Sequence, residues 1–193
     1  MYDGLTAAVA TTGTLVGLIP ADNTSVTLTQ SANFTSSNVG DSIPVIVYES
    51  ISGAAAANYT VVQPSGLSAN ITPKSLTITG TTVANKVYDG STVATVTGGT
   101  LVGLVSSDLA NITFTKAASF SSTNAGNAIA IVMNDSISGS AASNYTLAQP
   151  TGITANIAPK ALTVTGTSIA NKVYDGTTVA AISGGSLVGV VTG

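Results

Sequence analysis

Tyr2-Asp3-Gly4 returns as Tyr88-Asp89-Gly90 and again as Tyr174-Asp175-Gly176, each time after an interval of 86 residues. The repetition runs far past the tripeptide and needs no gaps. Leu15-Val16-Gly17 returns as Leu101-Val102-Gly103 and Leu187-Val188-Gly189. Asn58-Tyr59-Thr60 returns as Asn144-Tyr145-Thr146, and Pro73-Lys74 as Pro159-Lys160. Whatever one copy folds into, the next copy folds into as well. The chain is therefore a tandem array, and its function belongs to a repeated unit.

What the chain lacks narrows the class further. It has no Cys, no His, no Arg and no Trp, and only 7% of its residues are charged. Disulfide frameworks and thiolate or imidazole metal sites are therefore excluded. A Ser-His-Asp or Cys-His nucleophile cannot be assembled, and no carboxylate pairing is recognisable. No enzyme, no catalytic residue and no cofactor is expected. Five scattered Lys against eight carboxylates would not neutralise a run of phosphates, so nucleic acid is not an expected partner. The apolar residues come in short runs, none approaching the ~20 residues of a spanning helix, and membrane insertion is not expected. Met1-Tyr2-Asp3 carries no basic segment followed by an apolar block. A chain that opens inside a repeat reads as an excerpt of a longer protein.

Hydrophobic residues make up 44% of the chain, which argues for a packed core. Their pattern alternates. Leu76-Thr77-Ile78-Thr79, Leu162-Thr163-Val164-Thr165 and Ile112-Thr113-Phe114-Thr115 each place aliphatic or aromatic residues on one face and Thr on the other. Ile153-Thr154-Ala155-Asn156-Ile157 alternates again, and Ile129 to Met133 reads as a strand buried on both faces. Asp89-Gly90, Gly98-Gly99, Asn124-Ala125-Gly126 and Ser138-Gly139 supply turns between these runs. About seven short strands per repeat predict an all-β fold, a series of tandem Ig-like antiparallel β-sandwiches of 86 residues. A parallel β-helix is the alternative, but no sub-period near ~20 residues is visible.

Pro73 and Pro159 stand between alternating runs where a last strand would cross to a next first strand. Boundaries placed there give a partial repeat at 1–73 lacking its first strand, a complete repeat at 74–159, and the opening strands of a third at 160–193. No flexible linker separates them, so stiff junctions are expected.

Candidate chemistry is sparse. Asp3, Asp89 and Asp175 precede Gly4, Gly90 and Gly176, and the expected role is a local turn with the carboxylate accepting nearby hydrogen bonds. Tyr88 and Tyr145 are expected to be largely buried. Calcium would need six to eight oxygens, and a repeat offers only Asp89, Asp108 and Asp135. Lys86 and Lys172 read as packed stems with solvated heads. A Lys–Asn isopeptide through Asn58 or Asn144 is the sharper alternative. Thr27/Thr29, Thr77/Thr79, Thr113/Thr115 and Thr163/Thr165 would form a glycan- or ice-binding face only if adjacent strands bring them into register.

Lys86-Val87-Tyr88-Asp89-Gly90-Ser91-Thr92 and Lys172-Val173-Tyr174-Asp175-Gly176-Thr177-Thr178 resemble the signature of YDG repeat domains. Gly139 to Tyr145 and Ala155-Asn156-Ile157-Ala158-Pro159-Lys160 fit the same pattern, and the resemblance covers essentially the whole chain. It implies a segment of a large exported bacterial adhesin of the filamentous-haemagglutinin type. The Tyr-Asp-Gly triplets, Asn58-Tyr59, Asn144-Tyr145, Pro73 and Pro159 would then be structural motif residues.

The expected function is mechanical: an extracellular stalk or fibre segment at the bacterial surface, serving adhesion and biofilm, with neighbouring repeats as its partners. A carbohydrate- or ice-binding module, with a surface glycan as partner, is the alternative. A second alternative is a filament subunit, with residues 160–193 of one chain completing residues 1–73 of the next by strand addition. Of these, a continuous fibre built from one long chain is the expectation.

Overall fold

The computed structural model describes residues 1–10 and 13–192, so Gly193 of the third copy lies outside it. The fold is all-β, and helical structure among the described residues is limited to single 3₁₀ turns. In the first copy lie β1 (Ala7–Ala8), β2 (Thr27–Phe34), β3 (Gly40–Ser52) and β4 (Ser68–Ile71). The second begins with β5 (Lys74–Val83), β6 (Lys86–Val87), β7 (Val93–Ala94) and β8 (Val96–Val102). It continues with β9 (Thr113–Thr115), β10 (Ala118–Phe120), β11 (Gly126–Met133), β12 (Ser136–Ser138), β13 (Tyr145–Leu147) and β14 (Thr154–Ala158). The third copy contributes β15 (Thr163–Ile169) and β16 (Ile182–Val188).

Matched residues build matched sheets. The order β1-β2-β3-β4 in the first copy is repeated as β7-β10-β11-β14 in the second, where β6 adds an edge. The β2–β3 hairpin pairs Thr27 with Ser52 through to Phe34 with Val45. Both copies carry the same bulge. Ser42 and Ala128 adopt positive φ, and their amides are held by Asn70 and Asn156 side chains at 2.8 Å. The extra residue sits where the ladder to β4 or β14 shifts register.

Two features depart from the sequence reading. Most ladders are antiparallel, but β13 runs parallel to β5 and β14 parallel to β6, so neither a purely antiparallel sandwich nor a β-helix describes the pairing. The long β2 and β3 of the first copy are also each broken in two in the second, as β9/β10 and β11/β12. The cause is local. In the first copy Gln30 and Glu49 pair across the hairpin, with Gln30 Nε2 donating to Glu49 Oε1 at 2.7 Å. Their counterparts are Lys116 and Asp135, and the shorter carboxylate turns inward to accept from the Ala117 amide at 2.9 Å. The strand expected to be buried on both faces is instead one-sided, since Val132 on β11 is 50% exposed.

The compact units do not coincide with the sequence copies. One unit comprises Met1–Thr77, Leu101–Phe114 and Ile137–Ala148; the other comprises Ile78–Thr100, Thr115–Ser136 and Gln149–Gly193. The core of the first unit draws Tyr2, Ile43 and Ile71 from the first copy and Leu76, Ala141 and Tyr145 from the second. Phe34 and Val39 pack on it from one copy, and Leu101, Ile112 and Leu147 from the next. The core of the second unit holds Phe120, Ala155 and Ile157, with Tyr88 and Ile129 beside them, all from one copy. The consequence is measurable at one matched pair. Leu76 is fully buried, worth roughly 1.5–3 kcal/mol, whereas Leu162 is 47% exposed. The alternation expected to bury Leu162 and Val164 therefore leaves both on the surface of β15 and its approach.

Candidate functional site

The Tyr-Asp-Gly triplet works as two separate devices. Its Asp and Gly form a local turn. Asp89 Oδ1 accepts from the Ser91 amide and the Ser91 hydroxyl at 2.9 Å, while Gly90 takes φ +78°. Lys86 Nζ closes the turn, donating to Asp89 Oδ1 at 2.8 Å and to the Ser91 carbonyl at 2.7 Å, 5.4 Å from the Phe120 ring. Hydrogen bonding from Lys86, then from the Ser91 amide and hydroxyl, lowers the Asp89 pKa to about 2. Asp175 repeats the arrangement with Lys172 and Thr177, and its carboxyl is held low for the same reasons. Asp3 accepts from the Leu5 amide at 2.9 Å, with Gly4 at φ +83°. The Lys86 head is not solvated as the sequence suggested: its side chain is only 17% exposed and its bonds go to the turn.

The Tyr of the first triplet, Tyr2, reaches into the next copy. Tyr2 is 4% exposed, and its hydroxyl donates to Asp108 Oδ2 at 2.7 Å. The Tyr145 hydroxyl donates to the same oxygen at 2.6 Å and accepts from the Val105 amide at 3.1 Å. The two rings meet edge to face, with centroids 5.3 Å apart. Asp108 ends a 3₁₀ turn, Ser106–Asp108, whose exit is fixed by the Asn111 amide bonding back to the Asp108 carbonyl. Burial alone would raise the Asp108 pKa, but hydroxyl donation from Tyr145, Tyr2 and Ser107 outweighs it and holds the carboxyl below its ordinary value. Burial and then the Asp108 carboxylate push the Tyr145 phenol up to about 12, and they raise Tyr2 in the same direction. Short hydroxyl–carboxylate bonds of this kind are among the stronger ones available to a protein.

Asn144 makes a second contact between copies. It ends the 3₁₀ turn Ala142–Asn144, accepts from the Val39 amide at 2.9 Å and donates to Asn38 Oδ1 at 3.1 Å. Tyr2, Asp108, Asn144 and Tyr145 thus form one site built by two successive copies.

The first copy holds an uncombined version of the receiving half. The Tyr59 hydroxyl donates to Asp22 Oδ2 at 2.7 Å and accepts from the Ile19 amide at 3.3 Å, but Asn58 is exposed. The Asp22 bond and then burial raise the Tyr59 pKa. The second unit holds the entering half. Tyr88 binds the Ala158 carbonyl through its amide, as Tyr2 binds Thr72, both at 2.8 Å. Tyr88 is only half-buried, short of the expectation, and borders a hollow of about 310 Å³ with Ala125, Pro159, Leu162 and Val191. Tyr174 is 94% exposed. Pro73 follows β4 and Pro159 follows β14, each exposed immediately before the chain enters the next copy.

Of the residues read from sequence, Tyr2, Asn144 and Tyr145 meet in one site, while the Asp-Gly turns stand apart from it. Asp108 was read only as a calcium candidate. The signal for its role is that Asp22 and Asp108 recur in step with Tyr59 and Tyr145, each 37 residues ahead of its Tyr. Asp89, Asp108 and Asp135 are engaged with different partners, and no three carboxylates converge among the described residues. The isopeptide candidates are not brought together, since Lys86 is held by its own turn and Asn144 by Asn38 and Val39. Thr27 and Thr29 do lie in register with Ser52 and Ser50 on the exposed side of β2 and β3. Among the described residues no helix is long and apolar enough to cross a membrane.

An all-β tandem array in which Tyr2 of the first triplet enters the following copy defines the class of protein. The YDG domain family model matches residues 1–66, 72–152 and 158–193, and the chain belongs to that family. No curated protein and no solved structure matches it.

Proposed function

We propose that this chain is a load-bearing segment of an extracellular bacterial adhesin stalk, in which successive YDG repeats are fastened to one another by the Tyr of the triplet. The observation that carries this reading is the Tyr2–Asp108–Tyr145 arrangement, in which a buried carboxylate of one copy receives the hydroxyl of the preceding copy. A shared core supports it: pulling the first copy away from the second exposes Leu76, Tyr2 and Tyr145 together. In this reading each repeat is a sandwich-like module finished by its neighbour, and length is set by repeat number. No part of the site needs a substrate or a cofactor to do this.

Stretching the chain between its two ends in a force microscope tests the reading. A discrete resisting step is expected, weakened when Tyr2 is replaced by Ala. Smooth extension without a step would overturn it, as would failure to label the protein on the surface of intact producing cells. The hydroxyl rows of Thr27, Thr29, Ser50 and Ser52 favour a second role as a glycan-contacting face. Binding to a glycan array that is lost on replacing Thr27 and Thr29 with Lys would establish it.

A further inference from the structure

The geometry points to a binding site for a single neutral sugar residue in the polar hollow beside Tyr2 and Asp108, where two copies of the repeat meet. This rests on glycan contact as a role of the array, but it places the sugar elsewhere than on the hydroxyl rows of β2 and β3. The hollow measures about 360 Å³, at the small end of the roughly 300–1,000 Å³ that ligand pockets occupy. Ser37 and Asn38 of the first copy line it with Ser107, Asp108, Asn111 and Ser140 of the second, and all of them belong to one compact unit. Neither copy has this site alone.

The floor of the hollow is a buried carboxylate with one oxygen little used. Asp108 is 7% exposed, and Tyr2 and Tyr145 both donate to its Oδ2. Its Oδ1 holds only the Ser107 hydroxyl, at a long 3.4 Å. The rim is similar. The Asn111 side chain reaches the Ser107 carbonyl only at 3.5 Å, and among the described residues the Ser37 and Ser140 hydroxyls make no hydrogen bond within the protein. These rim groups are not needed for fastening the copies. Ser107, Asn111 and Ser140 stand where the first copy has Ala21, Ser25 and Ala54, and there Asp22 still holds the Tyr59 hydroxyl at 2.7 Å. Polar side chains that the fold does not require therefore converge on one hollow.

The lining selects the occupant. No Lys lines the hollow, and the charge of Asp3 acts on Tyr2 beside it, so an anionic sugar or a phosphate is repelled. One carboxylate falls short of the several that calcium draws together. An apolar ligand would strip water from the amide and hydroxyl side chains of the rim and return no hydrogen bond. A neutral pyranose matches both parts. One of its hydroxyls donates to Asp108 Oδ1 in a charge-assisted bond, and its neighbours exchange hydrogen bonds with Asn111, Ser37 and Ser140.

Saturation-transfer NMR on the full chain with the methyl glycosides of glucose, galactose and mannose tests this. At least one glycoside should receive saturation from the protein. Combining Ser107→Ala, Asn111→Ser and Ser140→Ala restores the first copy's residues around the hollow. That triple variant should bind at least ~10-fold more weakly, the effect of losing one or more hydrogen bonds to ligand hydroxyls, while its thermal melt stays close to wild type. Ser140→Ala alone, exposed at the rim and away from the Asp108 bonds, should weaken binding several-fold. Thr27→Lys with Thr29→Lys should leave it unchanged. Silence from all three glycosides, equal binding by the triple variant, or equal saturation of methyl glucuronide would each overturn the proposal. Binding lost only with the Thr27 and Thr29 changes would overturn the hollow and leave the glycan-contacting face standing. Heat from calcium chloride that disappears in the triple variant would assign the hollow to a cation and overturn the sugar.

Discussion

The Tyr2 hydroxyl and Asp108 Oδ2 lie 2.7 Å apart across 106 residues of sequence, and that bond ties one copy of the repeat to the next. Because Asp108 also receives the Tyr145 hydroxyl, its loss strands two buried phenols together. Asp108→Ala should lower unfolding free energy by about 2–4 kcal/mol, and Tyr2→Phe by about 1.5 kcal/mol. Urea denaturation followed by tyrosine fluorescence measures both. Equal effects of the two variants would refute the shared-carboxylate account.

Asn144 and Asn58 occupy the same place in their copies but differ in what they touch. Asn144→Ala leaves the Val39 amide without its acceptor and should cost about 1–2 kcal/mol. Asn58→Ala, at an exposed position, should change stability by less than about 0.5 kcal/mol. Thermal melts of the two variants side by side decide it.

Acid should loosen the Asp-Gly turns late. Asp89 has its pKa lowered to about 2 by Lys86 and Ser91, from an ordinary value of 3.8. A depressed carboxyl stabilises the folded state fully above the unfolded pKa, and that contribution disappears as pH falls from about 4 through 2. Carboxyl-resolved NMR titration should find Asp89 ionised below the ordinary range, and Lys86→Met should move it back up. An Asp89 indifferent to Lys86→Met would contradict the assigned cause.

Alkali acts on the tyrosine site with the opposite sign. Tyr145 is raised from 10.0 to about 12, so the neutral phenol is the form the fold prefers. The stabilisation it brings is complete below pH 10 and is lost as pH rises through 12. Tyrosinate absorbance should therefore show a late-ionising fraction whose midpoint falls in Asp108→Asn but stays above the ordinary value, because burial is the larger cause. If that midpoint does not move in the variant, the carboxylate is not a cause of the shift.

Gly139 adopts φ +115°, and a Cβ there would sit 2.1 Å from the Asn111 carbonyl oxygen. Gly139→Ala should destabilise the chain by roughly 2–4 kcal/mol through backbone strain and displacement of that carbonyl. Gly152→Ala, at φ +74° in open space, should cost only about 1 kcal/mol. Comparing their melting temperatures separates the close approach from the dihedral itself.

The sequence by itself determined the 86-residue array, the all-β character and the local Asp-Gly turns, because each depends on spacing or on residues a few positions apart. Alternation of Thr with aliphatic residues is enough to specify strands, and Asp before Gly is enough to specify the turn. It did not reveal the break that divides the second copy's counterparts of β2 and β3 into β9/β10 and β11/β12, since that follows from a carboxylate one carbon shorter at Asp135 than at Glu49. Nor could it say where Tyr2 goes. Asp22 and Asp108 are identical residues in matched positions, and periodicity gives the same pattern whether Tyr2 meets the carboxylate of its own copy or of the next. Only tertiary packing chose Asp108, because burying Tyr2 against Leu76, Ala141 and Tyr145 completes a core that the first copy does not fill alone.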